Sequence, residues 1–360
     1  MRSTGMPPPK TQSRRDRSQR LPASAEEEDR HEDEEEHEPH KPVDKRKRRR
    51  NGIWLTFVAL LLAAWTATMF INSTSPLVTA PSAVMPLVTI CALPVIAIGV
   101  GGKHFVSTGI AAIAALLPWA MVAGYASSRE APVGKTVTVR VMSVDGSLGR
   151  ANANAVAAAA KTYAADVVVI TGLSSTLAHG LTVAGLDRQL PPLWVQVPSN
   201  QNTGIGIYSR LAISDLTSVD GLSRPAASGV LQADGARVGL TVAQIGGGTL
   251  FPAASRSADL KKLAAQKVAG ASTGSFLVGS LNTTPWQPGF HSLEKAGWED
   301  AADVTGKGLR PTWPSWSPLP ITPADHLLVD QKIGVASTAT VNIGGSSHRA
   351  LVVSLEVPTG

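Results

Sequence analysis

Apolar residues are distributed very unevenly along this chain of 360 residues. Residues 1–50 contain almost none, residues 53–126 are crowded with them, and the remainder mixes polar and apolar positions. This pattern predicts three regions: a polar tail at 1–50, a membrane-embedded block at 51–127 and a globular domain at 128–360. The last region is long enough to bury a hydrophobic core of its own.

The polar tail is rich in Pro, Ser, Arg and Glu. A segment of this composition cannot bury enough apolar surface to offset the entropy lost on ordering, so we expect residues 1–50 to be disordered. Within the tail, the nearly continuous acidic run at 26–38 indicates a solvated spacer. The alternative interpretation of this run is a metal-binding or protein-docking tract.

Three uncharged runs predict transmembrane helices at about 53–71, 76–100 and 105–126. The first run has about 19 residues, which is enough to cross a hydrocarbon core of roughly 30 Å. The second is interrupted by prolines, which membrane helices tolerate when neighbouring groups satisfy the freed carbonyls. Because no run carries a charge in its middle, we expect an anchor and not a transporter or proton relay.

Basic residues predict the orientation, because Lys and Arg are retained on the cytoplasmic side. The basic run at 45–50 places the N-terminus in the cytoplasm, and Lys103 places the loop between the second and third runs there as well. Three crossings of the cell membrane then leave the C-terminal domain outside. The alternative is two crossings and a re-entrant proline-rich segment, which keeps the domain in the cytoplasm. Since the basic run explains much of the net charge of +6, the charge does not indicate binding of nucleic acid.

From residue 136 onward, short β-branched runs alternate with alanine-rich ones. The alternating run at 136–143 and the apolar run at 166–170 predict strands, and the alanine-rich segment 151–163 predicts a helix between them. Further strands are predicted at 204–208, 239–243, 275–278, 327–329 and 350–355, and a further helix at 257–267. This alternation predicts a layered α/β fold.

Four motifs in the domain carry a resemblance to a known family. They are GIGIYSR at 204–210, FLVGSLNTTPW at 276–286, ADHLLV at 324–329 and SSHRALVVSL at 346–355. In this order and spacing they resemble the endonuclease/exonuclease/phosphatase superfamily of DNase I-like enzymes over about residues 136–357, and its membrane-anchored bacterial members in particular. The resemblance implies a four-layer sandwich, with two β-sheets face to face and helices outside. It also implies hydrolysis of phosphodiesters or phosphomonoesters with Mg²⁺.

The sequence departs from the family pattern where the chemistry is expected. The family places a metal-binding Glu after the second strand and a base Asp in a GDxN motif, and these positions hold Gly172 and Ser280. Three more positions differ: the first-strand Asn is Asp145, Gln244 stands near the mid-domain His, and the terminal Asp-His pair is Ser347-His348. Glycine offers no side-chain ligand, and serine without a base activates water poorly. We therefore do not expect ordinary family catalysis.

Four polar residues remain at positions of the implied site. The resemblance implies Asp145 as a remaining metal ligand, and Asn282, Asp325 and His348 as catalytic remnants. A structural interpretation is favoured for each: Asp145 and Asn282 as turn residues, and Asp325 with His348 as a buried hydrogen-bonded pair. We expect no resident cofactor, and Mg²⁺ only if a rearranged site is active.

Three functional hypotheses follow. The favoured one is a catalytically degenerate domain, a pseudoenzyme that acts in binding or regulation at the cell envelope, with an envelope ligand or a protein as its partner. The alternatives are an active metal-dependent phosphodiesterase or phosphatase that uses Asp145, and a purely structural role in which the helices are the active part. An active metal-dependent site that uses Asp145 requires a second carboxylate within about 5 Å of that residue.

Overall fold

The computed structural model describes residues 45–198, 203–247 and 253–359. The predicted disordered tail therefore lies outside the described residues, except for residues 45–50. These six residues are helical, because α1 (Lys45–Ala67) begins at Lys45 and not at the predicted boundary of 51.

Three more helices follow α1 in the apolar block: α2 (Pro76–Ala83), α3 (Pro86–Gly101) and α4 (Phe105–Met121). By length and composition, the stretch Arg46–Phe70 is long and apolar enough to cross a membrane. The predicted second span is not one helix, because α2 and α3 are bent by 80° relative to each other. The third predicted span, α4, has 17 residues and is short for a crossing. The expectation of three spans is thus supported for the first run only.

Backbone chemistry explains the bend between α2 and α3. Val84 leaves the helical region of backbone conformation, with φ −121° and ψ 37°. Pro86 begins α3 and has no N–H with which to continue the hydrogen-bond ladder of α2. The predicted helix at 76–100 therefore divides at this point.

The helices α1, α3 and α4 pack around small residues, including Ala59, Ala92 and Ala111, which are fully buried. Small side chains let neighbouring helices approach closely. Other, larger apolar side chains of these helices point outward, and eight of the exposed ones in the described residues are Trp54, Phe57, Leu61, Ile90, Leu93, Ile98, Phe105 and Leu116. An exposed apolar surface of this extent is typical of a surface that meets a partner protein or a membrane.

The first sheet of the α/β domain contains β1 (Thr136–Asp145), β2 (Val167–Leu173), β3 (Pro192–Gln196), β4 (Gly204–Ser209), β11 (Gly334–Asn342) and β12 (Arg349–Pro358). Its order in the described residues is β11-β12-β1-β2-β4-β3. The second sheet contains β5 (Ile213–Ser218), β6 (Ala226–Ala233), β7 (Ala236–Ala243), β8 (Ser275–Ser280), β9 (Glu299–Asp300) and β10 (Asp325–Val329). Its order is β5-β6-β7-β8-β10-β9. Both sheets are mixed, since β1 with β2 and β7 with β8 are parallel pairs among antiparallel ones.

The helices of the domain are α5 (Ala153–Thr162), α6 (Ser175–Val183), α7 (Leu186–Gln189), α8 (Ala253–Ala264), α9 (Pro288–Lys295) and α10 (Ala301–Val304). Strand β1 shows how the layers form, because successive side chains point to opposite faces. Val139 and Val141 enter the core between the two sheets, whereas Met142 and Val144 pack with residues of α5–α7. Helices α8 and α9 cover the outer face of the second sheet. The expected four layers are therefore present.

Candidate functional site

The candidate site lies where strands of the two sheets end side by side. Asp145 ends β1 opposite Thr171 of β2 in the first sheet. Ser280 ends β8 opposite Asp325, the first residue of β10, in the second sheet. His348 precedes β12, which pairs with β1. The sheet register therefore gathers residues that are as much as 203 positions apart in the sequence, from Asp145 to His348.

A continuous chain of hydrogen bonds joins the two sheets at this point. Thr171 Oγ1 lies 2.8 Å from Ser280 Oγ, and Ser280 donates to Asp325 Oδ1 at 2.5 Å. His348 Nδ1 lies 2.7 Å from Asp325 Oδ2. The predicted Asp325–His348 hydrogen bond is therefore present, and both oxygens of the Asp325 carboxylate are used. The Ser280 hydroxyl takes part in this chain where the family places a base.

The Asp325–His348 contact is an ion pair at neutral pH. Burial opposes ionisation of both groups, but the charge and hydrogen bond of Asp325 raise the pKa of His348 to about 9. The nearby His348 and the hydrogen bonds from His348 and Ser280 outweigh the burial of Asp325 and lower its pKa. Asp145 responds differently: burial, aided by repulsion from Asp325, raises its pKa despite the attraction of His348.

Asp145, Asp325 and His348 each offer one ligand atom, and these atoms lie within 4.8 Å of one another. A second carboxylate is thus close enough to Asp145 for a metal site. The donors do not fit a resident Mg²⁺ ion, which prefers several oxygen ligands. Two of the three donors are carboxylates, and the third, His348, is a nitrogen donor whose pKa is raised to about 9, so it carries a proton at neutral pH.

Gly172, at the position of the family's metal-binding Glu, has a backbone that suits glycine. Its φ is +64°, and the register of β2 against β4 shifts between Thr171 and Leu173. A Cβ atom on Gly172 would lie 3.2 Å from the Leu148 amide nitrogen. The Gly172 amide donates to Gln244 Oε1 at 3.2 Å, so the residue near the place of the family's His also stabilises this turn.

All four residues predicted from the sequence meet at one cleft. Asp145, Asn282 and His348 line it, and Asp325 lies behind His348. Asn282 has a φ of +48°, which Asn tolerates better than most residues. Its Nδ2 donates to the Ile245 carbonyl at 2.8 Å, so the side chain fixes the neighbouring loop while it faces the cleft.

The cleft has a volume of about 690 Å³, and much of its lining was not predicted from the sequence. Arg150, Arg224 and Arg256 bring positive charge to it, and α2 of the apolar block forms part of its wall. Burial lowers the pKa of Arg224, against the attraction of Asp145, and burial also lowers the pKa of Arg256. These arginines belong to none of the motifs, so the sequence held no signal for them.

A second buried pair, also unpredicted, supports the loop that follows Asn282. His326 Nδ1 lies 2.5 Å from Asp300 Oδ2, and His326 Nε2 lies 2.9 Å from the Thr283 carbonyl. Burial opposes protonation of His326, but the Asp300 charge and hydrogen bond outweigh it, so the pKa of His326 is raised. The ADH motif contains this histidine, and its position beside Asp325 was the available signal.

Comparisons with known proteins find one protein family and several solved structures that are similar to this chain. The Endonuclease/Exonuclease/phosphatase family profile matches residues 144–348. A D. rerio TDP2 structure complexed with single strand DNA product aligns with a TM-score of 0.50 and 14% identity over 61% of this chain and 98% of that chain. Sphingomyelinase C from Streptomyces griseocarneus aligns with a TM-score of 0.47 and 16% identity over 61% and 99%. The Bacteroides thetaiotaomicron mannosyl-6-phosphatase Bt3783 aligns with a TM-score of 0.47 and 14% identity over 60% of this chain and 99% of that chain. A comparison with curated protein sequences finds no match.

Proposed function

Because this chain belongs to the Endonuclease/Exonuclease/phosphatase family, we propose that its cleft binds a phosphate-containing ligand without hydrolysing it. The protein then acts in binding or regulation at the cell envelope, from a membrane anchor. The observation that carries this proposal is the closed hydrogen-bond chain from Thr171 through Ser280 and Asp325 to His348. In this chain of bonds a hydroxyl that donates to Asp325 stands where the family places its base, and Asp325 is paired with His348.

The loss of hydrolysis follows from the partners of each group. The Ser280 proton points at Asp325, and the ionised Asp325 is neutralised by His348, so neither group is positioned to take a proton from water. Loss of a general base costs about two to four decades of rate. Loss of the metal removes the Lewis acid and the template of the reaction as well.

Anion binding does not depend on those lost groups. Arg150, Arg224 and Arg256 line the cleft, and guanidinium groups bind phosphate oxygens through charge-assisted hydrogen bonds. Asp145 is the acidic residue among the cleft-lining residues, and Asp325, which lies behind His348, is matched by the charge of that histidine. The net charge of the cleft therefore favours an anionic ligand.

The membrane anchor that we propose has three crossings, made by α1, α3 and α4. The helices α3 and α4 have 16 and 17 residues, or about 24 to 26 Å of helix, close to the lower limit for a crossing. The His104 ring lies against Gly52, so the turn with Lys103 and the basic start of α1 share one end of the bundle. The domain meets the bundle elsewhere, where Trp286 Nε1 donates to the Pro118 carbonyl at 2.8 Å. With the basic end in the cytoplasm, the domain lies outside.

An active metal-dependent phosphoesterase is the second candidate. The observation that favours it is the cluster of Asp145, Asp325 and His348 within 4.8 Å. To ligate a metal there, His348 has to be neutral, so that one ring nitrogen can donate to Asp325 while the other binds the metal.

Two measurements on the full chain, in a detergent-containing buffer without phosphate, distinguish the binding function from the active phosphoesterase. The first is hydrolysis of p-nitrophenyl phosphate and of bis-p-nitrophenyl phosphate with and without Mg²⁺ or Mn²⁺. The second is calorimetric binding of inorganic phosphate. We expect no metal-dependent turnover above the Asp145→Ala background, together with phosphate binding that Arg256→Gln weakens about tenfold. Lys261→Gln, an exposed position on the same helix, is the control and leaves binding unchanged. Turnover that disappears in Asp145→Ala contradicts the proposal.

A further inference from the structure

Helix α2 lies between the apolar bundle and the cleft and is bonded to both. On the bundle side, Trp65 Nε1 of α1 donates to the Pro81 carbonyl at 2.9 Å. On the domain side, Gln287 Nε2 donates to the Thr79 carbonyl at 2.9 Å, and Thr322 Oγ1 lies 3.4 Å from the Ala83 carbonyl. The bend of 80° after α2 turns this helix away from the axis of α3 and toward the domain.

The wall of the cleft therefore has two chemically different parts. Helix α2 and the turn after it contribute apolar surface from Pro76, Ala80, Ala83 and Val84. The domain contributes the three arginines named above, together with Asp145 and His348. A ligand that fills this cleft contacts an apolar surface on one side and cationic groups on the other.

Two polar side chains that line the cleft, Arg256 and Thr284, are available to bind a ligand. In the described part of the chain, Arg256 has no ion-pair partner, although burial already disfavours its charge. The Thr284 side chain is 1% exposed, and its Oγ1 has no hydrogen-bond partner within the described residues. Buried polar groups are normally hydrogen-bonded, so an anion with free acceptor oxygens complements both groups.

Exposed apolar side chains lie close to the same cleft. Leu77 of α2 is 85% exposed, and Trp316 and Leu319, in the loop that follows the cleft-lining Trp313, are 82% and 79% exposed. This loop precedes Thr322, which contacts the carbonyl of Ala83. Exposed Trp and Leu next to a membrane bundle are typical of a surface that enters the interfacial region of the bilayer.

From this arrangement we infer that the cleft binds a phosphate ester carried by an apolar chain, the chemistry of an anionic phospholipid. The phosphate lies against the arginines and Thr284, and the apolar part lies along α2, which leads it to the membrane. This inference rests on the proposed function, because it names the ligand of the same cleft. A soluble phosphate ester contacts only the cationic part of the cleft. The affinity for a phospholipid therefore depends on α2, whereas the affinity for a soluble phosphate ester does not.

The test uses the full chain in a phosphate-free detergent and three probes measured by calorimetry. Dioctanoyl phosphatidate has both parts, glycerol 3-phosphate has only the phosphate, and dioctanoylglycerol has only the chains. We expect phosphatidate to bind at least about tenfold more tightly than glycerol 3-phosphate, and dioctanoylglycerol to bind most weakly. Ala80→Trp fills the apolar part, so it weakens phosphatidate binding about tenfold and leaves glycerol 3-phosphate binding unchanged.

Leu77→Trp is the matched control for Ala80→Trp, because Leu77 lies on the same helix but does not line the cleft. Ala80→Met fills less volume and replaces Ala80→Trp if the thermal midpoint shows that the larger side chain disturbs folding. If phosphatidate and glycerol 3-phosphate bind with equal affinity and Ala80→Trp changes neither affinity, the inference of an amphiphilic ligand is wrong, whereas the proposed function is unaffected. Absence of binding of both phosphatidate and glycerol 3-phosphate by the folded wild type overturns the proposed function itself. Dioctanoylglycerol binding as tightly as phosphatidate overturns the role given to the phosphate.

Discussion

The Asp325–His348 ion pair permits a quantitative prediction for the variant Asp325→Asn. His348 is 8% exposed, and an interaction that raises its pKa from 6.5 to about 9 corresponds to about 3 kcal/mol in favour of the charged form. The variant removes that charge and disturbs the hydrogen bond from Ser280. We therefore expect a loss of about 2 to 4 kcal/mol in the free energy of unfolding at pH 6.

The pH dependence of this loss gives the prediction its sign. The folded-state pKa of His348 is raised, so the stabilisation is fully present below pH 6.5 and is lost as the pH rises through about 9. The difference between wild type and Asp325→Asn should thus be largest at pH 6 and much smaller at pH 10. Urea unfolding of the full chain in detergent, followed by tryptophan fluorescence, measures it at both pH values.

The control variant is Asp234→Asn, which changes an exposed carboxylate in the turn between β6 and β7. We expect it to change stability by less than about 0.5 kcal/mol at either pH. If Asp325→Asn costs the same at pH 6 and pH 10, or costs no more than the control, the ion pair does not contribute as described.

Three further predictions concern the backbone, the membrane contact and the orientation. Gly172→Glu and Gly172→Ala should each lower the free energy of unfolding by about 1 to 2 kcal/mol, because the positive φ and not the carboxylate causes the strain. Chemical denaturation measures both variants, and no loss in either of them contradicts this prediction. Trp286→Phe removes the hydrogen bond to the Pro118 carbonyl and should lower the free energy of unfolding by about 0.5 to 1.5 kcal/mol in the same assay. An unchanged unfolding midpoint would show that this hydrogen bond does not stabilise the protein. A reporter that is active only in the cytoplasm should stay silent when fused after Gly360, and activity there overturns the three-crossing topology.

The strands that could be predicted from the sequence lie in the middle of the sheets. Strands β1 and β2 are flanked on both sides by other strands, and the β-branched residues of β2 and of the second half of β1 are buried, so the pattern is unambiguous. The strands β3, β5, β9 and β11 were not predicted, and these are the four edge strands of the two sheets in the described residues. An edge strand is partly solvated, so its sequence mixes polar and apolar residues and loses the periodic signal. Strand β6, which is central, was missed because it is rich in Ala and Gly.

The candidate site divides in a similar way. Asp145, Asn282, Asp325 and His348 could be found because each lies in or beside a motif at a strand end. Arg224 and Arg256 lie in no motif, and only the folded chain brings them to the cleft. The contribution of α2 could not be predicted either, because its sequence reads as part of a membrane span until the bend at Val84 turns it toward the domain.

The measurement that tests the central claim most directly is the ³¹P NMR spectrum of glycerol 3-phosphate incubated with the full chain and Mg²⁺. Binding broadens or shifts the phosphate ester resonance, and hydrolysis produces a separate resonance of inorganic phosphate, so one spectrum reports both events. We predict a broadened ester resonance that sharpens in Arg256→Gln, with no inorganic phosphate formed over hours. Inorganic phosphate that accumulates with the wild type and Mg²⁺, but not with Asp145→Ala, contradicts the account.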